Sequence, residues 1–427
     1  MISPADAAYL VGEHRTHPRH VGLLQLFRLP DGADVDTLHR RLLAYGSVRP
    51  TFRRKPRGAV LGVAQARWDD QATVDLRQHV RRWTIDAPDG LLDLVGKLHA
   101  QPLPRDRPLW EYHLVDGLPD RQFAVFVKAH HSVSDEVRLL QAAVASLSGD
   151  PMWASSWEPE PKPEKQSLFG QLRSLTGTTP ELLQLAGKTL TGQVQRPGPP
   201  APRSVLDTSH GGDWQVVMRR WSAGRLHAIV NRQRVSRSDI VLAMCAGALR
   251  RYLTDLEALP RRSLIAAVAT GVKPEGQRVE HIGYTLCSLE TNAPSAQTRL
   301  DSVSATLMSS LRKLKKLTPL QLRMAATVLI SLPSTASAVT GVSDVAPKMF
   351  NLTISNLDGP RDKVNWHGAA LEAMYPFTVP VDGQALNISA LSYADSVLFG
   401  ITACREQIPD PERLLDYLEE ALAEIEK

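Results

Sequence analysis

Cysteine is scarce in this chain of 427 residues, and its scarcity excludes two classes of architecture. The three cysteines, Cys245, Cys287 and Cys404, are widely spaced and odd in number. Disulfide frameworks and cysteine-based zinc sites need closely matched pairs of cysteines. We therefore expect neither a disulfide scaffold nor a metal site, and we expect a reducing, cytoplasmic compartment.

Long apolar runs are also absent. No stretch approaches the roughly 18 apolar residues of a membrane-spanning helix, and residues 1–6 lack the basic and apolar regions of a signal peptide. The basic stretch at residues 49–57 is interrupted by proline and lacks a pattern of interleaved aromatics, so we expect no nucleic-acid partner. A net charge of +5 permits attraction to an anionic membrane or lipid-particle surface without requiring it.

The composition is that of a globular protein, with 43% hydrophobic and 22% charged residues. Strand-like and helical patterns are mixed in both halves, which predicts an α/β or α+β fold with mixed sheets. Proline clusters at 157–163 and 196–202 flank a helical stretch around 168–190. We therefore predict an N-terminal lobe (1–150), a proline-rich crossover linker (151–205) and a C-terminal lobe (206–427).

The most informative segment follows a continuous apolar run at residues 123–129, which predicts a buried strand. His130 and His131 come directly after this run, and a helical pattern begins after Asp135. His131 and Asp135 form an H-x-x-x-D pair, a pattern typical of enzymes that transfer acyl groups from thioesters. A neutral histidine in this position has the properties of a general base.

The sequence leaves two roles open for Asp135. Its carboxylate can hold the loop by pairing with an arginine, for which Arg361 is one candidate. Alternatively, Ser132 and Asp135 have the S-x-x-D spacing of a capping box, in which case Asp135 starts the helix.

Several further sequence motifs are distributed along nearly the whole chain. They are Ser3–Leu10 with His20-Val21-Gly22, Pro108-Leu109-Trp110-Glu111, Val115-Asp116-Gly117-Leu118, Lys128-Ala129-His130-His131, Ser238–Ala243 leading to Gly247–Leu253, Asn351–Pro360, Leu386-Asn387-Ile388 and Ser392-Tyr393. In order and spacing these motifs resemble the bacterial wax ester synthase/diacylglycerol acyltransferase family. That family is similar to chloramphenicol acetyltransferase, condensation domains and carnitine acyltransferases.

The resemblance implies a two-lobed, chloramphenicol acetyltransferase-like fold with an active-site tunnel between the lobes. It implies that His131 is the general base for attack of a hydroxyl on an acyl thioester, acyl-CoA or a carrier-bound acyl group, with no cofactor and no metal. The products would be wax esters or triacylglycerols, formed from a long-chain alcohol or diacylglycerol. Supporting roles fall to His130, Asp135, Asn356, Ser355 and Asp239.

Three positions depart from the family pattern. Glu136 stands where the family has glycine, Ser238 replaces an asparagine, and Asp358 replaces a proline. Glu136 would either narrow the thioester channel or point to solvent, whereas Ser238 keeps the ability to cap the following helix. We take Glu136, Ser238 and Trp110 as candidates for the substrate channel, with a core position as the alternative for Trp110.

The departures keep two other functions open. The first is an acyltransferase of the same fold that uses a carrier-protein donor or a specialised-metabolite hydroxyl or amine. The second is a catalytically silent homologue that binds lipid or a partner. The basic segment 311–317 before the apolar residues 324–332 either contacts a lipid surface or forms an ordinary solvated helix face.

Overall fold

The structure, a computed structural model, describes Ile2 and residues 4–13, 17–58, 66–71, 73–154, 200–208, 212–276, 280–331 and 348–427. The helical segment predicted around residues 168–190 and the proline cluster at 157–163 lie outside the described residues. Within the described ranges, no helix has both the length and the apolar character needed to cross a membrane.

Strands and helices alternate along the described parts of the chain. The strands are β1 (His20–Arg28), β2 (Arg54–Arg57), β3 (Arg67–Asp70), β4 (Val80–Thr84), β5 (Trp110–Asp116), β6 (Gln122–His130), β7 (Trp214–Ser222), β8 (Ile265–Val272), β9 (His281–Ser288), β10 (Leu352–Asp358), β11 (Asn365–Trp366), β12 (Ala369–Thr378), β13 (Leu386–Tyr393) and β14 (Ser396–Cys404). The helices are α1 (Pro4–Val11), α2 (Val35–Leu43), α3 (Pro50–Arg53), α4 (Gly90–Ala100), α5 (Glu136–Ser146), α6 (Ala223–Gln233), α7 (Arg237–Asp255), α8 (Ala296–Leu314), α9 (Pro319–Ala326) and α10 (Glu412–Glu426).

The first sheet has the strand order β11-β12-β1-β6-β5-β4. The strand predicted from the apolar run at 123–129 is β6, which is antiparallel to both β1 and β5. All of its residues from Phe123 to His130 are buried. The prediction of a buried strand that ends at the histidines is therefore confirmed.

The second sheet has the order β7-β14-β13-β10-β8-β9 and combines parallel with antiparallel pairs. β13 and β14 are buried along their whole lengths, as expected for strands that are covered on both faces. Helix α7 packs against α8 and α10. These mixed sheets confirm the predicted α/β class.

The lobe boundaries predicted from the sequence need one correction. Strands β11 and β12 lie within the predicted C-terminal lobe (206–427), yet they complete the first sheet, where β12 pairs antiparallel with β1. The described ends of the predicted linker also belong to the lobes: Trp153 stacks on Trp110, and Ala201 N donates to Lys348 O. Apolar patterning identifies a strand but carries no information about the sheet that the strand joins.

One predicted helix start is also wrong by a short distance. The N-cap of α7 is Ser236 rather than Ser238, and Ser236 forms a full capping box with Asp239. In α7 the serine three residues before Asp239 has the capping-box spacing, which leaves Ser238 free for another contact.

The two sheets approach each other closely where β14 passes β12. A Cβ atom at Gly400 would lie 2.2 Å from the carbonyl oxygen of Pro376 and 2.9 Å from the ring of Phe377. One of these neighbours is backbone and the other is a buried ring, so neither can move without repacking the core. Gly400 is therefore required by close approach.

We expect Gly400→Ala to lower the free energy of unfolding by about 2–3 kcal/mol, because the added methyl group overpacks the junction between the sheets. Urea unfolding measures this change. The matched control is Gly46→Ala, since a Cβ at Gly46 meets no atom within 4 Å. Equal effects of the two substitutions would contradict the steric explanation.

Candidate active site

His131 follows the last residue of β6 and is held by backbone hydrogen bonds. Its N–H donates to Arg19 O at 2.9 Å, and both Val133 N and Ser134 N donate to His130 O. The ring of Tyr9 stacks on the imidazole with a centroid distance of 4.9 Å. The sequence thus folds into a tight loop that fixes both the backbone and the ring of His131.

The strand that carries His131 is anchored by a buried lysine. Lys128 Nζ donates to Leu98 O and Gln101 O, each at 2.7 Å, at the C-terminal end of α4. Glu111 Oε2 lies 3.4 Å from the same ammonium group. A cation at a helix C-terminus is favourable, and the three contacts offset the cost of its burial. Burial nevertheless lowers the pKa of Lys128 to about 8.

Burial also sets the protonation state of His131. Loss of solvent, with the nearby His130 and Arg19 as smaller contributions, lowers the pKa of His131 to about 3. The imidazole is therefore neutral throughout the physiological range and keeps a lone pair to accept a proton. This agrees with the expectation that desolvation keeps the histidine uncharged.

His130 forms contacts within the loop and stabilises it. Its Nδ1 accepts a hydrogen bond from Ser132 N at 3.1 Å, and its Nε2 faces Glu13 Oε1 at 3.5 Å. Glu13 in turn accepts from Arg105 and from Arg19 N. His130 is thus a positioning residue, and its carboxylate partner Glu13 had no signal in the sequence because the contact joins residues far apart in the chain.

Asp135 starts the helix after the loop. It is the N-cap of α5, and its Oδ1 accepts a hydrogen bond from Arg138 N at 2.9 Å. The predicted capping box is wrong in detail, since Asp135 is the cap itself and Ser132 hydrogen-bonds to His130. Of the two roles left open by the sequence, the structure shows the helix-starting one.

Two cavities meet at His131. The first, of about 590 Å³, lies between α1, the start of α5, β9 and α9, and Arg138 and Arg323 are among its lining residues. The second, of about 370 Å³, lies between the sheets and is lined by residues of β10 and β12, including Ser355 and Thr378. His131 and Tyr284 line both cavities. His131 therefore lies at the wall that the two cavities share.

Glu136 points into the second cavity, so the solvent-facing alternative is wrong. The residue is 5% exposed, and its Oε1 accepts a hydrogen bond from Thr378 Oγ1 at 3.2 Å. Burial raises the pKa of this carboxyl to about 7, and the neighbouring Asp135 adds to the increase. A carboxyl group that is partly protonated near neutral pH therefore lines the same cavity as His131.

The other predicted site residues are divided between the cavity and the scaffold. Ser355 lines the second cavity. Asn356 Nδ2 donates to Ser238 Oγ at 2.6 Å, a bond that joins β10 to α7. Asp239 Oδ2 accepts from Ser236 N and Ser304 Oγ. Ser238, Asn356 and Asp239 do not line either of the two described cavities, so they position the sheet instead of contacting a ligand there.

Trp110 is a core residue, which corrects its assignment to the substrate channel. It is fully buried, and its Nε1 donates to Phe52 O at 2.8 Å. Its ring stacks on His79 and Trp153. Because every face of the ring is packed against protein, Trp110 stabilises the first sheet.

No group of three or more potential metal ligands occurs among the residues that the structure describes. The residues that sequence reasoning missed at the cavities are Tyr284 and Thr378. Both lie on strands from the second half of the chain, and only the packing of that half against the loop places them beside His131 and Glu136.

We expect Glu136→Gln to stabilise the protein above pH 7 but not at pH 4.5 or below. The folded-state pKa of about 7 lies above the ordinary value of 4.5, so folding binds this proton and stability falls as the pH rises between these values. The upper limit is roughly 3 kcal/mol at pH 8. Urea unfolding across this range, with exposed Glu406→Gln as the control, measures the change; a pH-independent difference would contradict the buried carboxyl.

Comparison with known proteins identifies the relatives of this site. Residues 2–240 match the model of the wax ester synthase/diacylglycerol acyltransferase catalytic domain, and residues 280–426 match that of the family's C-terminal domain. A putative diacylglycerol O-acyltransferase of Mycobacterium tuberculosis is 35% identical over 100% of this chain and 99% of its own length.

Solved structures agree with this result. The wax ester synthase/diacylglycerol acyltransferase from Marinobacter aquaeolei superposes with a TM-score of 0.76 at 32% identity, covering 100% of this chain and 98% of the other. The first condensation domain of the calcium-dependent antibiotic synthetase, at 13% identity and a TM-score of 0.58 over 100% and 96% of the two chains, shares the fold alone. The chain therefore belongs to the wax ester synthase/diacylglycerol acyltransferase family.

Proposed function

We propose that this acyltransferase moves a fatty acyl group from acyl-CoA to the hydroxyl of a long-chain alcohol or a diacylglycerol, with His131 as the general base. The observation that carries the proposal is the position of a neutral His131 between two cavities. A thioester in one cavity and a hydroxyl in the other would meet at the imidazole.

The proposed reaction needs only one proton carrier. The imidazole of His131 accepts the hydroxyl proton as the oxygen attacks the thioester carbonyl and forms a C–O bond. The resulting tetrahedral oxyanion collapses, the C–S bond breaks, and the proton on His131 passes to the departing thiolate. A positioned base of this kind contributes typically 10²–10⁴-fold to the rate, and holding both reactants at one point adds to it.

The two arginines of the first cavity are the reason for placing the donor there. Arg138 and Arg323 line this cavity, and a phosphate-bearing donor such as CoA or a phosphopantetheine arm carries the opposite charge. Asp6, which lies 3.8 Å from Arg323, and the capping residue Asp135 also line it. The second cavity, with Glu136 facing it, then holds the acceptor.

The rival proposal is an enzyme of the same fold with a carrier-protein donor or a specialised hydroxyl or amine acceptor. Glu136 is the observation that favours it, because a buried carboxyl is out of place beside a purely hydrocarbon acceptor. The third hypothesis is a homologue without catalytic activity. The presence of His131 argues against it.

We expect purified protein to release thiol from palmitoyl-CoA in the presence of hexadecanol or a diacylglycerol, and His131→Ala to reduce that rate at least 100-fold. Exposed His227→Ala is the matched control. Turnover with an acyl-carrier protein but not with any CoA donor would favour the rival. No thiol release with either donor would overturn the proposed activity.

We further propose that the protein associates with an anionic membrane or lipid-particle surface through α8. Met308 is 54% exposed on this helix, and the exposed Arg312, Lys315 and Lys316 follow it at helical spacing and just beyond. An apolar side chain next to several cations is suited to an anionic lipid interface.

We expect binding to vesicles that contain phosphatidylserine, and we expect K315E/K316E to reduce the bound fraction severalfold at 0.1 M salt. Co-sedimentation measures this fraction. Pure phosphatidylcholine vesicles are the control, and equal binding of both proteins to the anionic vesicles would contradict the assignment of this surface.

A further inference from the structure

Glu136 occupies a position where the family pattern has glycine, yet the backbone there makes no use of glycine. Glu136 is the first residue of α5, directly after the N-cap Asp135, and it adopts helical geometry. A side chain at this position therefore causes no backbone strain. Glu136 instead adds a carboxyl group to the lining of the second cavity.

One oxygen of this carboxyl has no partner. Oε1 accepts the hydrogen bond from Thr378 Oγ1, whereas Oε2 is buried and has no hydrogen-bond partner among the described residues. Buried polar atoms in folded proteins are almost always paired, and an unpaired one calls for a ligand or another explanation. Glu136 lines the second cavity together with His131 and Ser355.

We propose that Glu136 selects acceptors that carry a second hydroxyl beside the reacting one, such as a long-chain 1,2-diol or a monoacylglycerol. This inference rests on the proposed function. It pairs each of the two hydroxyls of the acceptor with one side chain of the protein. His131 takes the proton of the reacting hydroxyl, and Glu136 Oε2 accepts a hydrogen bond from its neighbour. A simple alcohol leaves Oε2 unpaired, so it binds less well in the transition state.

The polar lining of the second cavity agrees with this assignment, since Ser355 and Thr378 line it beside Glu136. Thr378 fixes the carboxyl from the β12 side, so the free oxygen has a defined direction. Glu136 is thus a specificity-determining residue, and His131 remains the base.

The test compares hexadecan-1-ol with hexadecane-1,2-diol, which differ by one hydroxyl, using palmitoyl-CoA as donor. We expect kcat/KM to favour the diol at least tenfold in the natural protein and the preference to fall to about onefold in Glu136→Gly. Glu136→Gln, which keeps an accepting oxygen, should retain part of it. Equal preference in the natural protein and in Glu136→Gly would overturn the proposal, as would an effect confined to the KM for palmitoyl-CoA.

A third acceptor tests the direction of the hydrogen bond. The 2-methoxy analogue of the diol keeps the second oxygen but lacks its proton. At about pH 9, where Glu136 is ionised and can only accept, we expect the analogue to react as poorly as hexadecan-1-ol. Reaction as fast as with the diol would contradict this geometry.

Binding without turnover separates the inference from the proposed function. Calorimetry with His131→Ala should show the diol binding at least tenfold more tightly than to His131→Ala/Glu136→Gly. Selective binding without any transfer would refute the proposed activity and leave the inference standing. Acyl transfer without a preference for the diol would support the proposed activity and refute the inference. Thermal unfolding of each variant confirms that it is folded.

Discussion

The contact between the two sheets at Gly400 and Pro376 is the constraint on which the site depends. Strand β12 belongs by sequence to the second half of the chain but completes the first sheet, and it passes β14 with no room for a methyl group. The same strand ends at Thr378, which hydrogen-bonds to Glu136. Without this crossing the second cavity would lose one wall.

Burial acts on the two titratable groups of the site in opposite senses. Loss of water favours the neutral form of each, so it lowers the pKa of His131 and raises the pKa of Glu136. Both groups are therefore wholly or partly uncharged near neutral pH. A neutral imidazole accepts a proton, and a carboxyl that titrates near pH 7 is ready to pair with a polar ligand. The supporting residues His130 and Asp135 are instead used to hold the loop.

The sequence predicted those parts of the molecule that depend on local pattern. Strand β6 and the histidine loop follow from apolar periodicity and family motifs. The cap of α7 was misplaced by two residues, although the spacing of Ser236 and Asp239 already fits a capping box. The sheet that β12 joins and the cavity residues Tyr284 and Thr378 were beyond reach, since these contacts join distant parts of the chain and leave no periodic signal.

The meeting of two cavities at His131 has a consequence for the order of events. If donor and acceptor enter from opposite sides, neither substrate blocks the entrance of the other, and the architecture imposes no sequence of binding. Among the described residues, His131 and Tyr284 line both cavities, and the two substrates would meet at this shared wall. An enzyme built in this way holds both reactants at once, and its loaded state is a ternary complex rather than an acylated protein.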